Sequence, residues 1–452
     1  MVDHIETLGR IVELVRTKRA VTRPEIMRVT DLGRTVITQR VDDGLAAGIL
    51  REEDAAVSTG GRPSRVLGIR PDAGSVLAAV FGASRAHIAV ADLAGRVIAS
   101  EFVRVNVSQG PARVLAQLFG VYDRLQRENA LPPLWCGAVG LPGPVDFPRG
   151  RTISPPIMPG WHDYPVRERL QEELGVPVWV DNDVNLMALG AWKETRESAM
   201  DDVLLVKVGT GVGAGLISQG RLHRGARGAA GDIGHMMAVN QSSVQCRCGK
   251  FGCLEAFAGG WALARDGREA ALTGASPFLA DALARVSAVS LEDVIDGAKA
   301  GDPVSGELIT RSATLVGAAL ADLVSLFNPA TVFVAGSLAR AGDSFVDTIR
   351  SVTLRRSFSL ATDDMVITRV SLAHQEGALG AAWLALDEIF RPQMLARWIS
   401  AGSPRGIAAE DGPEGPNVRI RRDELRFPGE ITPLYSVVAP ESAGRGQSVS
   451  GR

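Results

Sequence analysis

Ile5, Leu8, Ile11, Val12 and Val15 recur at helical spacing and predict a first amphipathic helix. Thr22 followed by Pro24 reads as an N-cap region with Pro in the first turn, opening a short second helix through Ile26 and Met27. Asp31-Leu32-Gly33 is a turn. A third helix is predicted over about 34–47, with Val36, Ile37, Val41 and Leu45 on its inner face and Gly48 ending it. Two extended segments, 49–52 and 65–69, flank the Gly-rich run Ser58-Thr59-Gly60-Gly61-Arg62-Pro63-Ser64. From Gly74 the pattern changes to strands alternating with helices. Extended runs at 76–81, 87–91 and 97–105 precede a helix over about 111–129 and an apolar strand at 134–139. A second half begins near Asp201 with the strand 203–208, its own hairpin, a long helix over about 311–327 and a strand at 331–335. A last helix over about 375–390 closes the core. These patterns predict a small module over 1–72 and a body of two α/β lobes with a cleft between them over 73–390. The 62 residues of 391–452 hold 8 Gly and 7 Pro and read as a flexible extension.

A chain of 452 residues has room for two or three domains. No apolar run reaches the ~18 residues of a membrane span, and the first ten residues lack a signal-peptide core, so no membrane partner is expected. The net charge of −2 excludes a globally basic nucleic-acid binder but not a small DNA-reading module. Residues 1–70 carry 12 Arg and Lys against 10 Asp and Glu. Three short helices and a hairpin are the pattern of a winged helix-turn-helix, whose third helix lies in the major groove. Arg34, Thr35, Thr38, Gln39 and Arg40 would then meet base edges and phosphates, and Arg62 and Arg65 would sit on the wing. A three-helix protein-interaction module with a solvated charged face fits the same pattern, since Asp42, Asp43, Glu52, Glu53 and Asp54 lie nearby.

The chemistry is concentrated in four stretches. Three of the four cysteines fall within eight residues, a poor disulfide framework and a good metal knuckle, which fits a reducing cytoplasm. His235-x10-Cys246-Arg247-Cys248-x4-Cys253 offers three thiolates and an imidazole, a closed tetrahedral set for a structural zinc ion, with Gly249 and Gly252 at the tight turns. Buried free thiols beside an unrelated His are the other reading. In Val180-Asp181-Asn182-Asp183-Val184-Asn185 a strand gives way to a helix, so a carboxylate could act as a base on a hydroxyl or hold a sugar; helix capping explains the same residues. The alternating glycines of Gly209-Thr210-Gly211-Val212-Gly213-Ala214-Gly215 could cradle an anion, and a tight hairpin gives the same pattern. Gly231-Asp232-Ile233-Gly234-His235 and Glu255 border the cysteine cluster, which would present Asp232 and Glu255 to the cleft.

Together these motifs resemble the ROK family of repressors and sugar kinases over about residues 5–390. The run Gly140-Leu141-Pro142-Gly143-Pro144-Val145-Asp146, then Pro159-Gly160-Trp161, the Asn182-Asp183-Val184-Asn185 turn, the glycine run, the cysteine knuckle and Val334-Ala335-Gly336 occur in the family's order. The Thr59-Gly60-Gly61-Arg62-Pro63 wing is similar to the repressor branch. The resemblance implies an actin-like ATPase (ribonuclease H-like) two-lobed α/β body behind a winged helix-turn-helix. It implies Asp183 as the residue that contacts, and in kinases deprotonates, the sugar hydroxyl. Asn182, Asp232, His235 and Glu255 are implied as further sugar contacts, with His235 also on zinc. Gly82, Gly209, Thr210 and Gly211 are what remains of the phosphate loops.

Three positions depart from the family pattern. The first phosphate loop, Asp-x-Gly-Gly-Thr in the family, is Val80-Phe81-Gly82-Ala83-Ser84 here, so the acid that organises Mg-ATP is absent. Asp232 stands for the usual Glu, and Ile157 for an Asn before Pro-Gly-Trp. The expectation is therefore a sugar-responsive DNA-binding regulator, a repressor acting as a homodimer or homotetramer on operator DNA, with zinc bound and with no use of ATP or Mg2+. The rival expectation is an ATP-dependent sugar kinase of the hexokinase or glucokinase type that kept an N-terminal DNA-binding module.

Overall fold

The hydroxyl of Thr22 accepts from the backbone N–H of Glu25, and the Glu25 carboxylate accepts from the N–H of Thr22, a complete capping box. It fixes the start of the second helix of a computed structural model that describes residues 2–53, 65–195, 201–370 and 375–409. Helices α1 (Val2–Arg16), α2 (Arg23–Thr30) and α3 (Arg34–Ala46) are followed by the antiparallel pair β1 (Leu50–Glu53) and β2 (Val66–Ile69), the predicted three helices and hairpin. The inner face of α3 is turned from the expected one. Ile37, Val41 and Gly44 face inward, where Gly44 leaves room for Leu50. Val36 is 42% exposed, and Arg40 is buried in an ion pair with Asp43 at 2.7 Å.

The body repeats one topology twice. In the first lobe, β3 (Ser75–Phe81), β4 (Arg85–Asp92) and β5 (Val97–Arg104) form an antiparallel meander. α4 (Pro111–Glu128) leads to β6 (Leu134–Leu141), parallel to β3. The short pair β7 (Val145–Asp146) and β8 (Arg151–Thr152) and helix α5 (Val166–Leu174) precede β9 (Val178–Asn182), giving the order β5-β4-β3-β6-β9. Helix α6 (Asp183–Glu194) then crosses to the second lobe. There β10 (Val203–Val208), β11 (Val212–Ser218) and β12 (Arg221–His223) form the matching meander. Four helices follow the cysteine cluster: α7 (Glu255–Ala258), α8 (Gly260–Leu272), α9 (Pro277–Val286) and α10 (Leu291–Lys299). α11 (Pro303–Phe327), β13 (Thr331–Ala335), α12 (Asp343–Arg356) and β14 (Val366–Arg369) complete the order β12-β11-β10-β13-β14. Asp302 caps α11, which starts eight residues before the apolar pattern predicts a helix. By length and composition α11 could cross a membrane, yet its Leu308, Val316, Leu320 and Val324 sit in the core of the second lobe.

Two helices hold the halves together. Val184, Met187 and Ala188 of α6 pack on the second sheet, while Leu186 and Leu189 face the first lobe. α13 (Glu376–Ile389) crosses α6 where both are glycine: a Cβ on Gly190 would lie 1.9 Å from the Glu376 carbonyl oxygen, and one on Gly380 1.8 Å from that of Leu186. The segment from Arg391, expected to be flexible, continues as helix α14 (Pro392–Ala401), which buries Met394, Leu395 and Trp398. Its apolar side outweighs the Gly and Pro that follow it. One continuous hydrophobic core runs from Leu8, Ile11 and Val15 of α1 through Trp383 and Ile389 to Leu395 and Trp398.

Candidate functional site

Asp183 begins α6 at the floor of a cavity of ≈380 Å³ between the lobes. Its side chain is 3% exposed and forms an ion pair with the Lys207 ammonium, which reaches it from β10. Lys207 was not singled out from sequence, because a lone Lys in an apolar strand gives no signal until the strand is placed beside α6. Asn182 also lines the cavity, but its side chain is engaged elsewhere. Oδ1 accepts from the N–H groups of Val184 (2.8 Å) and Asn185 (3.2 Å), capping α6, and Nδ2 donates to the Gly143 carbonyl at 2.9 Å. That amide therefore caps α6 while it lines the cavity. The neighbouring Asp181 is buried, pairs with Arg224 at 2.7 Å and accepts from Asn185 Nδ2 at 2.9 Å.

The glycine run is a hairpin turn between β10 and β11. Gly209 N–H donates to the Gly211 carbonyl at 3.0 Å, and the carbonyls of Gly209 and Thr210 accept from Gly260 and Trp261 at the start of α8. Its glycines serve close packing. A Cβ on Gly211 would lie 2.4 Å from Glu255 Oε2, and one on Gly215 would lie 2.6 Å from Ala188 Cβ. Glu255 spans this turn, accepting from Val212 N–H (3.1 Å) and Trp261 Nε1 (3.2 Å). Gly82 makes the corresponding turn in the first lobe, donating to the Arg85 carbonyl at 2.8 Å. Val80, where the family has its acid, faces the cavity beside Gly377, whose Cβ would stand 3.1 Å away.

Two further charged groups escaped the sequence reading. Glu376, first in α13, lines the cavity with one carboxylate oxygen that lacks a partner among the described residues, and burial raises its pKa against the pull of Lys207 and Arg340. It sits just beyond a segment without helical periodicity, so nothing placed it near Val80. Arg247, between two cysteines, lies over the Trp261 ring at 4.7 Å and also lines the cavity.

His235, Cys246, Cys248 and Cys253 converge as their spacing predicts. Their donor atoms all lie within 4.8 Å of one another. His235 Nδ1 stands 3.6 Å from Cys246 Sγ, and its Nε2 faces Asp232 at 3.8 Å. The ring thus turns one nitrogen to the thiols and the other to the cavity-lining Asp232. Gly249 and Gly252 both adopt positive φ, and a Cβ on Gly252 would strike the Val239 carbonyl oxygen at 2.3 Å. Burial first, then the neighbouring thiols, pushes the Cys246 pKa up to about 12, a crowding that a divalent cation would offset. Three sulfurs and an imidazole fit zinc and leave no open position.

On the N-terminal module Arg34, Thr35 and Gln39 are exposed on α3 and Thr38 is half-buried, but Arg40 points inward and is removed from the expected DNA-reading face. Arg62 lies outside the described residues. Arg65, expected to reach a phosphate, pairs with Glu52 at 2.5 Å, and Glu52 also holds Arg23. Those two guanidinium groups lower the Glu52 pKa.

Comparison with known proteins matches this geometry to one family. Residues 77–388 match the ROK family. The xylose repressor of Caldicellulosiruptor bescii is 27% identical over 382 residues, covering 84% of this chain and 95% of the relative. The glucokinase of Halalkalibacterium halodurans is 29% identical over 310 residues, covering 68% and 93%. A solved ROK family transcriptional regulator, described as a homologue of the E. coli MLC protein, superposes with a TM-score of 0.73 at 25% identity, covering 88% of this chain and 99% of that one. With its duplicated five-stranded lobes of the actin-like type and a helical module ahead of them, the chain belongs to the ROK family.

Proposed function

We propose that the protein is a sugar-responsive transcriptional repressor: residues 1–72 bind operator DNA, and the body over 73–390 binds a sugar or sugar derivative in the interlobe cleft. The observation that carries this is the N-terminal module, which shares one core with α13 and α14. The match to the xylose repressor runs over 382 residues, against 310 for the glucokinase, and is long enough to include that module. Asn182, Asp183, Asp232, His235 and Glu255 are the proposed sugar contacts, arranged around one cavity. The proposed metal is one structural zinc ion on His235, Cys246, Cys248 and Cys253, and its part is to hold Asp232 and Glu255 on the cavity wall. Arg34, Thr35, Thr38 and Gln39 are the proposed reading surface, in a homodimer or homotetramer acting in the cytoplasm.

The reading excludes phosphoryl transfer on two grounds. Val80 offers no oxygen to organise a cation, and the carboxylate that would act as base already holds Lys207. The rival reading, a sugar kinase, is favoured by the place of Asp183 at the head of α6 and by the glucokinase relatives. A gel shift on the protein's own promoter region, repeated with xylose, glucose, N-acetylglucosamine and common disaccharides, tests the repressor reading. A sugar-dependent change in a specific complex is the expected result; no specific complex on any segment of that promoter overturns it.

A further inference from the structure

The head of α6 lies in the cleft, and its tail reaches the same acidic residue of α13 as the N-terminal module does. Asp183 is its first residue, and Lys193, ten residues on and about 15 Å away along the axis, is in its last turn. Lys193 reaches the Asp387 carboxylate of α13 at 3.6 Å. The other oxygen of Asp387 accepts from the guanidinium of Arg16, the last residue of α1. Arg16 is 3% exposed and lies over the Trp383 ring at 5.2 Å; Lys193 faces the same ring at 5.3 Å. One carboxylate is thus shared by a cation from the cleft helix and a cation from the N-terminal module, around one indole.

Burying Arg16 is costly, and two of its nitrogens, Nε and Nη1, have no hydrogen-bond partner among the described residues. An apolar side chain would pack this core at lower cost. A carboxylate that bridges two cations, one oxygen to each, instead ties both to one point, so that a displacement of one cation alters its pairing with the other. The helices can deliver such a displacement. Both start in the cavity, α6 at Asp183 and α13 at Glu376, and the charge of Lys207 acts on both. At Gly190 and Gly380 their backbones touch with no room for a side chain, so a shift of one is imposed on the other.

We infer that the Arg16–Asp387–Lys193 cluster is the joint through which the interlobe cleft acts on the N-terminal module. Asp387 is the positioning residue, and the crossed helices α6 and α13 are the levers. The inference rests on the proposed function for its biological meaning, but the coupling belongs to the protein alone and is measurable without sugar or DNA.

The test is hydrogen–deuterium exchange on the full-length, metal-replete protein in four forms: unmodified, Lys207→Met, Asp387→Asn and the double variant. Lys207→Met disturbs the cleft end, and the amides of α1 report the module end. In the unmodified background Lys207→Met is expected to change α1 exchange by about three-fold or more. In the Asp387→Asn background it is expected to change it by less than half as much. Helix α11, in the core of the second lobe, monitors general loosening; where α11 exchange also changes, Glu376→Gln replaces Lys207→Met as the cleft disturbance. Equal α1 responses in both backgrounds, or no response in either, overturn the inference. The two readings fail separately: coupling without a specific protein–DNA complex leaves the joint standing and removes the repressor, and a sugar-responsive complex without coupling does the reverse.

Discussion

The Lys207 ammonium and the Asp183 carboxylate form an ion pair across the floor of the cleft, joining the strand β10 of one lobe to the head of the helix that crosses from the other. With Asp183 at 3% and Lys207 at 23% side-chain exposure, neither charge is freely solvated. The two charges neutralise each other within the cleft, so Asp183 is not a free base. A sugar hydroxyl entering here meets a carboxylate already oriented by a cation, an arrangement that suits binding more than proton abstraction.

Removing one partner of that pair strands the other. Lys207→Met is expected to cost about 2–4 kcal/mol of stability, because a buried carboxylate loses its counter-ion. Asp183→Asn in the same chain should recover part of the loss, so the double variant is more stable than the sum of the singles predicts. Denaturant unfolding of the four proteins measures this; strict additivity would show that the pair contributes nothing.

Glu376 gives a pH dependence of definite sign. Burial raises its pKa above that of the unfolded chain, so the ionised group opposes folding. That penalty is absent below the ordinary Glu value near 4.3 and grows as pH rises toward and through the raised value. Glu376→Gln should therefore raise Tm at pH 8 and leave it nearly unchanged at pH 4. A Tm gain larger at pH 4 than at pH 8 contradicts this account.

Much of this architecture was legible because it is local. The N-cap at Thr22, the strand at 331–335 and the cysteine knuckle depend on neighbours within a few residues, and each stands where its pattern placed it. Phase was harder. On α3 the inner face includes Arg40 and leaves Val36 outside, because an Arg that pairs with Asp43 can be buried while hydropathy alone assigns it to solvent. Composition misled at α14, where Gly and Pro further along masked a helix with three buried apolar residues. The pairs Lys207 with Asp183 and Arg16 with Asp387 were invisible, the second because its partners are 371 residues apart in the chain. The packing of α6 on β10 brings the first pair together, and that of α1 against α13 the second.

The corrected phase of α3 separates two kinds of arginine. Arg34→Ala, on the exposed face, should weaken operator binding about equally across sequences and reduce the salt slope by about one. Arg40→Ala should lower the stability of the module and leave sequence preference unchanged. Gln39→Ala should relax preference at one base pair, at about 1–3 kcal/mol. Binding titrations at several salt concentrations on the operator and its single-base variants distinguish these outcomes.

The cysteine cluster predicts about one zinc per chain by elemental analysis, lost in Cys248→Ser. Because a bound ion would tie 235–253 into one turn system beside Glu255, the variant should also unfold at lower temperature and lose any sugar response. Metal-free protein with an unchanged Tm would make the cluster a set of buried thiols.

Phosphoryl transfer is the sharpest remaining division between the two readings of the cleft. A sugar kinase needs a base near the acceptor hydroxyl and a cation bridging the phosphates. Asp183 is placed for the first, but its oxygen is held by Lys207. For the second, Val80 presents only methyl groups, packed toward Gly140 and Gly377. Two independent obstacles mean that neither Lys207→Thr nor Val80→Asp alone should give sugar-dependent ADP release above background. The two changes together test whether these obstacles are sufficient: any gain of turnover should appear only in the double variant and vanish on adding Asp183→Asn. A coupled assay over glucose, xylose and N-acetylglucosamine measures all of these proteins. Sugar-dependent ADP release by the unmodified chain, abolished by Asp183→Asn, would reverse the assignment and make Lys207 a residue that moves aside during turnover.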